Sequence, residues 1–247
     1  MNGGIGQRMT AKIVVRGEGP NDYGQWDYAK DRLKETGCYE KFVRTAAVCY
    51  QPQIKLCCIF AGSFPKKLPG GSKKKKSPNL KGFERHAFYS ALEAVEVGAE
   101  WLVVGVDTDR GLRGEKKRLP QANQQNYTQL HSGFEKARQF RAEVANLKFI
   151  ALVPLVKLES WLLADSRGFY DACGFERGVL PKHPEELYGT CDAKDHLNTI
   201  FVNNQRNPPD TSGKAAIAAK SKPSVLKCEC PVSYPPFLRY VQASCDC

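Results

Sequence analysis

Two pairs of acidic residues follow apolar, strand-like stretches of this sequence and are its clearest candidates for chemistry. Glu18 and Asp22 lie in KIVVRGEGPND, and Asp107 and Asp109 lie in WLVVGVDTDRG. Hard divalent cations need several oxygen ligands from different segments, and the carboxyl ends of strands in an open α/β sheet bring such segments together. The pattern predicts a Mg²⁺-dependent site that acts on phosphate. The alternative is ordinary turn chemistry, because Asp and Gly also favour strand ends.

Glu18 is the strongest single candidate. Gly17 and Gly19 flank it, so the backbone can turn sharply and leave room for a ligand beside the carboxylate. The alternative for Glu18 is a turn residue that faces water. For Asp22 the alternative is the N-cap of a following helix, a role that Asp fills well.

Asp107 and Asp109 are spaced i, i+2, so on an extended backbone they project to the same side and can share one ion or hold two. Two carboxylates that point the same way repel each other, and a cation relieves that repulsion. The alternative is an exposed turn that leads into Arg110 and Gly111.

A third acidic feature follows the last apolar stretch, in FIALVPLVKLESWLLAD. Glu159 falls in the first turn of the expected helix, where its charge favours the helix N-terminus whether or not it binds metal. Asp165 comes six residues later, a net rotation of about 240° on a helix, so the two carboxylates do not easily face one site. Glu159 is therefore the preferred candidate ligand.

Carboxylates of this kind suit phosphodiester hydrolysis. A set of about four can hold two Mg²⁺ or Mn²⁺ ions roughly 3.5–4 Å apart, which activate a water and stabilise the leaving oxygen. A positive side chain near the scissile phosphate would offset transition-state charge. Lys194, Lys214 or Arg110 can serve, and the sequence does not choose among them.

The charge balance indicates a polyanionic partner. The formal net charge is +11, and nucleic acid is the commonest partner of such chains. The segment 64–81 is rich in Lys, Pro and Gly and is expected to be a mobile basic loop. Its run of four lysines, together with Arg110, is the candidate contact for nucleic-acid phosphates, DNA or RNA and including tRNA. The run consists of Lys73, Lys74, Lys75 and Lys76. The alternative is a solvated loop that aids solubility.

The sequence also indicates the cellular compartment of the protein and the redox state of its cysteines. No apolar run approaches the ~18 residues of a membrane span, and the opening MNGGIGQRMTAK lacks the apolar stretch of a signal peptide, so we expect a cytoplasmic protein without a membrane partner. Ten cysteines then indicate reduced thiols or metal ligands. The tail contains CEC and CDC, and this spacing is tighter than common zinc sites, so unligated thiols are favoured. The cysteines are Cys228, Cys230, Cys245 and Cys247.

Strand-like and helix-like stretches alternate along the chain and predict an α/β fold with a mostly parallel sheet covered by helices on both sides. The predicted core is 10–177, with 178–247 as a less regular C-terminal extension packed on it. The expected strands are 12–15, 46–50, 54–60, 101–106 and 148–153, and the expected helices are 23–36, 83–97, 132–147 and 157–169.

These motifs, in this order, resemble the Toprim domain of topoisomerases, primases and the overcoming-lysogenisation-defect nucleases. The resemblance spans about residues 12–165. GEGPND and PLVKLESWLLAD are most similar to small stand-alone Toprim-like proteins of a domain-of-unknown-function family, often encoded beside ATPases in prokaryotic defence loci. The resemblance implies a four-stranded parallel sheet. It also implies roles for the acidic residues: Glu18 as metal-binding or acid/base glutamate, Asp107 and Asp109 as a metal-binding pair, and Asp22 and Glu159 as supporting carboxylates.

The expected function is therefore a metal-dependent nuclease for antiviral defence, with Glu18, Asp107 and Asp109 as catalytic residues and an ATPase partner that controls it. Topoisomerase activity is disfavoured, because it needs a separate cleavage domain with a nucleophilic tyrosine. The alternative is a catalytically silent Toprim-like subunit that binds nucleic acid or a partner through its basic surface.

Overall fold

The computed structural model describes residues 10–68, 78–108, 119–188 and 191–246. Its centre is a four-stranded, wholly parallel sheet of order β4-β1-β5-β6, which confirms the predicted α/β fold. A separate antiparallel pair, β2 and β3, lies beside it. The strands are β1 Thr10–Gly17, β2 Gly24–Asp27, β3 Arg32–Thr36, β4 Lys55–Ser63, β5 Trp101–Gly105 and β6 Lys148–Leu152. The helices are α1 Pro20–Tyr23, α2 Cys38–Tyr50, α3 Phe83–Glu96, α4 Leu119–Phe140, α5 Glu159–Ala164, α6 Ser166–Cys173, α7 Ala193–Asn203, α8 Thr211–Lys220, α9 Pro223–Glu229 and α10 Tyr234–Cys245, with 3-10 turns at Ala142–Asn146 and Pro184–Glu186.

Helices cover both faces of the sheet. One face packs on α3 and α4, through side chains such as Val14, Val104 and Phe88. The opposite face packs on α2, α5 and the C-terminal helices, through side chains such as Ile13 and Trp161. All residues of β5 are buried, as expected for a parallel strand covered on both sides.

The segment 23–36 contains a β-hairpin, so the predicted helix there is wrong. Local turn chemistry is the physical reason. The Asp27 carboxylate accepts hydrogen bonds from the backbone N–H groups of Ala29 and Lys30, and Asp31 adopts a positive φ of 45°. Asp fills such turns readily, and here the turn reverses the chain between two short strands.

The predicted strand over 46–50 is also wrong, because these residues form the last turns of α2. The buried residues of that helix recur in pairs four positions apart, which is helical rather than strand spacing. They include Cys38 and Tyr39, then Phe42 and Val43, then Ala46 and Ala47.

Ser132 does not begin a helix as predicted, because it lies inside α4. Its hydroxyl donates a hydrogen bond to Glu84 of α3 at 2.8 Å rather than capping a helix end. At the neighbouring Gly133, a Cβ atom would overlap the Glu84 backbone, so this glycine allows the two helices to approach closely. The helix predicted over 157–169 is interrupted at Asp165 and forms α5 and α6.

The C-terminal segment is helical, in contrast to the irregular extension predicted from sequence. Four helices, α7 to α10, lie among its described residues. Aspartates mark two of their starts: Asp192 caps α7 and Asp210 caps α8 through hydrogen bonds from backbone N–H groups. Side chains of α8 and α10 share one apolar cluster with β1 and β5, so the segment packs directly on the sheet.

None of the helices in the described part of the chain is both long enough and apolar enough to cross a membrane.

Candidate functional site

The carboxyl ends of β1 and β5 lie side by side at the point where the chain connections leave the sheet in opposite directions. From β1 the chain runs through α2 to β4 on one side, and from β5 it runs through α4 to β6 on the other. The two strands are in register, with Arg16 opposite Val104. In open α/β sheets, ligands bind in the crevice outside the strand ends at such a switch point. Glu18 and Asp107 follow these two strand ends.

The turn after β1 fixes Asp22. The backbone N–H groups of Asp22 and Tyr23 donate to the Gly19 carbonyl, forming the short helix α1. The Asp22 carboxylate accepts a hydrogen bond from the Gly19 N–H at 2.9 Å. Asp22 is thus the third residue of α1 rather than the cap of a longer helix, and its side chain folds back toward the turn that carries Glu18. Both acidic residues are partly exposed.

The segment after β5 is held firmly up to Thr108. The half-buried Asp107 is followed by Thr108, whose hydroxyl donates to the Pro154 carbonyl at 2.7 Å and accepts from Asn123 at 3.1 Å. These bonds tie the end of β5 to the chain beyond β6, so the backbone that carries Asp107 is fixed. Asp109 and Arg110 lie outside the described residues.

Glu159 is the first residue of α5, and it forms a buried ion pair with Lys214 of α8. Lys214 Nζ donates to Glu159 Oε1 at 2.6 Å, and the lysine and the glutamate are only 3% and 7% exposed. The start of α8 is also attached to the turn after β1, because the Thr211 hydroxyl donates to Asn21 Oδ1 at 3.1 Å. Helix α8 of the C-terminal segment therefore places a lysine beside Glu159. We call Glu18, Asp22 and Asp107, with Glu159 next to them, the acidic site.

Lys214 is one of the three cations that the sequence left open. Of the other two, Lys194 is exposed on α7, and Arg110 lies outside the described residues. Asp165, ranked below Glu159 on sequence grounds, has a structural role. Its carboxylate accepts from the N–H of Gly168 at the start of α6 and from that of Lys222.

The acidic residues interact electrostatically. Burial, together with the negative charges of Glu159 and Glu18, raises the pKa of Asp22 to about 6 against the opposing hydrogen bond from Gly19. Burial likewise raises the pKa of the Cys38 thiol, with Asp22 and Glu159 adding to the effect and Lys214 opposing it. The carboxylates of Asp22, Glu18 and Glu159 therefore lie close enough to act on one another, and like charges at such a site favour the protonated form of Asp22.

The residues fit a hard cation in chemistry but do not form a complete ligand set. Glu18, Asp22 and Asp107 supply the carboxylate oxygens that Mg²⁺ and Mn²⁺ prefer. Within the described residues, however, no group of three or more His, Cys, Asp or Glu side chains is arranged to hold a metal ion. The predicted fifth ligand, Asp109, falls outside that search.

The ring of Tyr39 packs against the ends of β1 and β5, directly before the acidic residues. This residue was not predicted from the sequence. A Cβ atom at Gly17 would lie 2.9 Å from the Tyr39 ring, and one at Gly105 would overlap it. Glycine at both strand ends therefore makes room for the ring. Gly17 and Gly105 were a signal in the sequence that a bulky group packs against the two strand ends. The sequence pattern did not predict α2, however, so it could not identify Tyr39 as that group.

A basic surface begins at the same edge of the sheet. β4 ends at Ser63 and leads directly into the lysine-rich segment, where Lys66, Lys67 and Lys81 are exposed. Because β4 is parallel to β1, its carboxyl end lies at the edge that carries the acidic residues. The four lysines of the predicted phosphate-binding run lie outside the described residues, so their role stays a prediction. They are Lys73, Lys74, Lys75 and Lys76.

The tail cysteines do not share one environment. Cys230 is buried under α5, where its thiol faces the Ser160 carbonyl, whereas Cys228 is exposed. Cys245 is partly buried and Cys247 lies outside the described residues.

Searches of protein-family models, curated proteins and solved structures gave no significant match to this chain. The Toprim resemblance therefore stays a prediction that rests on the motifs and their order. The fold class rests independently on the parallel sheet.

Proposed function

We propose that this chain is a metal-dependent nuclease that hydrolyses phosphodiester bonds at the ends of β1 and β5. The observation that supports this most is the position of Glu18, Asp22 and Asp107 after the adjacent ends of β1 and β5, at the switch point of a parallel sheet. Tyr39 links the three, because the charges of all three carboxylates raise the pKa of its hydroxyl beyond the larger effect of burial. Acidic residues that follow two adjacent strand ends thus all lie within electrostatic range of one buried side chain.

Glu18, Asp22, Asp107 and Asp109 are the residues that would hold Mg²⁺ or Mn²⁺, with Glu159 as a supporting carboxylate. When bound, such ions lower the pKa of a water nucleophile and stabilise the charge on the leaving oxygen. The side chains then have a positioning role. Two hydrogen bonds hold the acidic segments in place: the Gly19 N–H donates to the Asp22 carboxylate, and the Asn123 amide of α4 donates to the Thr108 hydroxyl.

Of the two described candidate cations, Lys214 is the one linked to this site, because it pairs with Glu159, whose charge acts on Asp22. Lys214 Nζ lies 2.6 Å from Glu159 Oε1, and this carboxylate fixes the position of the ammonium group. In the proposed mechanism the ammonium offsets negative charge that develops on the phosphate.

The basic segment after β4 would bind the nucleic acid through its phosphates. Lys66, Lys67 and Lys81 are exposed at the acidic edge of the sheet, and the run of four lysines at 73–76 lies between them in sequence. Contacts of this kind carry no sequence information, so they position the backbone and leave DNA and RNA both as substrates.

The biological setting follows from the resemblance alone. By that resemblance the protein is a cytoplasmic effector of a prokaryotic defence system, and an ATPase partner controls its nuclease activity.

A second function is a catalytically silent subunit that binds nucleic acid or a partner. Two observations favour it. The described acidic side chains do not form a metal-holding group, and Glu159 already has a cation in Lys214. In this case the acidic site would be structural, and the basic segment alone would bind.

A cleavage assay separates the two functions. Double-stranded DNA, single-stranded DNA and tRNA are incubated with the purified chain and Mn²⁺, alone and with the proposed ATPase partner. The nuclease proposal expects cleavage by the wild type that Glu18→Gln abolishes. A matched control is Glu135→Gln, which alters a surface carboxylate of α4 paired with Arg138. Survival of all substrates with the activated partner would leave the binding subunit as the function.

A further inference from the structure

Tyr39 has an unusual position at the bottom of the acidic site. It is the second residue of α2 and is fully buried. Its ring lies against Gly17 and Gly105, the last residues of the two adjacent strands that lead to Glu18 and Asp107. A Cβ at Gly17 would also lie 2.9 Å from the Cβ of Asp22, so the ring and this side chain crowd the same strand end.

The Tyr39 hydroxyl has no hydrogen-bond partner among the described residues. Buried tyrosine hydroxyls normally find a partner, because burying an unbonded hydroxyl is unfavourable. The core around the ring gives no reason for a hydroxyl here, since phenylalanine would fill nearly the same volume. A ligand of the acidic site is therefore the natural partner of this hydroxyl.

The surroundings of the hydroxyl indicate what that ligand offers. Burial raises the pKa of Tyr39 strongly, and the negative charges of Asp22, Asp107 and Glu18 raise it further. A tyrosine hydroxyl is protonated at neutral pH and can donate its hydrogen. The charges of all three carboxylates act on the hydroxyl, so an acceptor oxygen of a ligand that they hold is the group it is placed to meet.

We propose that the Tyr39 hydroxyl donates a hydrogen bond to an oxygen atom of the ligand that Glu18, Asp22 and Asp107 hold. That oxygen belongs either to a water on the bound divalent cation or to the phosphate of the nucleic acid. The inference rests on the proposed function, because it assumes that the acidic site binds a ligand. It adds a residue from α2, a helix that the acidic motifs do not include.

The test compares two substitutions that each remove one buried hydroxyl. Tyr39→Phe keeps the ring that packs on the glycines. Tyr234→Phe is the matched control, because Tyr234 is also fully buried, and its hydroxyl likewise lacks a partner among the described residues. The titratable neighbours of Tyr234 are Cys49, Cys230 and Tyr50 rather than carboxylates.

Calorimetry measures the affinity for Mn²⁺ alone and, with Mn²⁺ present, for a single-stranded oligonucleotide whose phosphorothioate linkages resist cleavage.

We expect Tyr39→Phe to lower affinity about ten-fold or more in at least one arm, as for a lost hydrogen bond to a charged ligand, while Tyr234→Phe binds like the wild type. A loss with Mn²⁺ alone assigns the oxygen to a metal-bound water, and a loss only with the oligonucleotide assigns it to phosphate. Both variants should unfold at or above the wild-type temperature. Wild-type affinity of Tyr39→Phe in both arms would overturn this inference alone. Absence of Mn²⁺ binding by the wild type would overturn the proposed function and this inference with it.

Discussion

Lys214 and Glu159 are 55 residues apart in sequence and form a buried ion pair, with 2.6 Å between Nζ and Oε1. The pair joins α8, in the C-terminal segment, to the helix that follows the last strand of the sheet. Its charges lie beside the turn that carries Asp22, whose pKa responds to Glu159. One contact therefore contributes both to the stability of the fold and to the charge balance of the candidate site.

Replacing Lys214 with Met should destabilise the protein strongly. The substitution leaves the Glu159 carboxylate buried without its cation, and loss of one partner of a buried pair typically costs about 3–5 kcal/mol. The free energy of unfolding, measured by urea denaturation, should fall by that order. Glu159→Gln combined with Lys214→Met should recover much of the loss. Lys194→Met, on the exposed side of α7, is the control and should change stability little. A single Lys214→Met variant as stable as the control would contradict the pairing.

The stability of the protein should depend on the protonation of Asp22. Burial and neighbouring carboxylates raise its pKa from 3.8 to about 6, so the folded state binds this proton more tightly than the unfolded state does. The resulting stabilisation is complete below pH ~3.8 and is lost as the pH rises through about 6. Asp22→Asn removes this dependence. Relative to the wild type, the variant should gain stability between pH 4 and 7, by on the order of 1–3 kcal/mol. Parallel stability curves for the two proteins across this range would refute the assignment.

Mn²⁺ should stabilise the folded protein through Asp107. A ligand that binds only the folded state raises the melting temperature, and tighter binding raises it more. Mn²⁺ and Mg²⁺ should therefore raise the melting temperature of the wild type and raise that of Asp107→Ala much less. Ca²⁺ accepts the same oxygens with looser geometry, so it should stabilise the protein yet support little cleavage. Equal shifts in wild type and variant would remove Asp107 from the proposed ligands.

Replacing the four lysines at 73–76 with Ser should weaken nucleic-acid binding uniformly across sequences. Each lost phosphate contact reduces the slope of log affinity against log salt by about 0.7–0.9. Filter binding with two unrelated oligonucleotides at several salt concentrations measures both effects. The matched control removes lysines from the C-terminal helices, Lys220 and Lys227, away from the segment after β4. An unchanged salt slope would show that the run does not contact phosphate.

The four strands of the sheet could be predicted from the sequence because each contains a short apolar run, and β5, which is buried along its whole length, is apolar throughout. β1, β4, β5 and β6 all lie within a few residues of their predicted positions. The parallel order then placed Glu18 and Asp107 at one edge. That inference needed only the direction of the strands, which the alternation with helices provides.

The residues that complete the site could not be predicted in this way, because their roles depend on contacts distant in sequence. Nothing in the sequence around Tyr39 distinguishes it from an ordinary buried aromatic residue. It can pack against the ends of β1 and β5 only because both strands end in glycine. Lys214 lies in TSGKAAIAAK, which has the composition of a surface helix, and only packing on α2 and α6 buries it. The hairpin at 24–36 depended on a turn at Asp27 that competes with helical propensity.

The pairing of Glu159 with Lys214 also sets an order of events during synthesis. A ribosome makes the chain from its N-terminus, so every strand of the sheet and Glu159 are made before α8 exists. Until residue 214 leaves the ribosome, Glu159 lacks the lysine that neutralises it, and the turn after β1 lacks its contact from Thr211. The acidic site is therefore completed only late in translation. A nascent chain that already contains Glu18 and Asp107 still lacks the positive charge of Lys214.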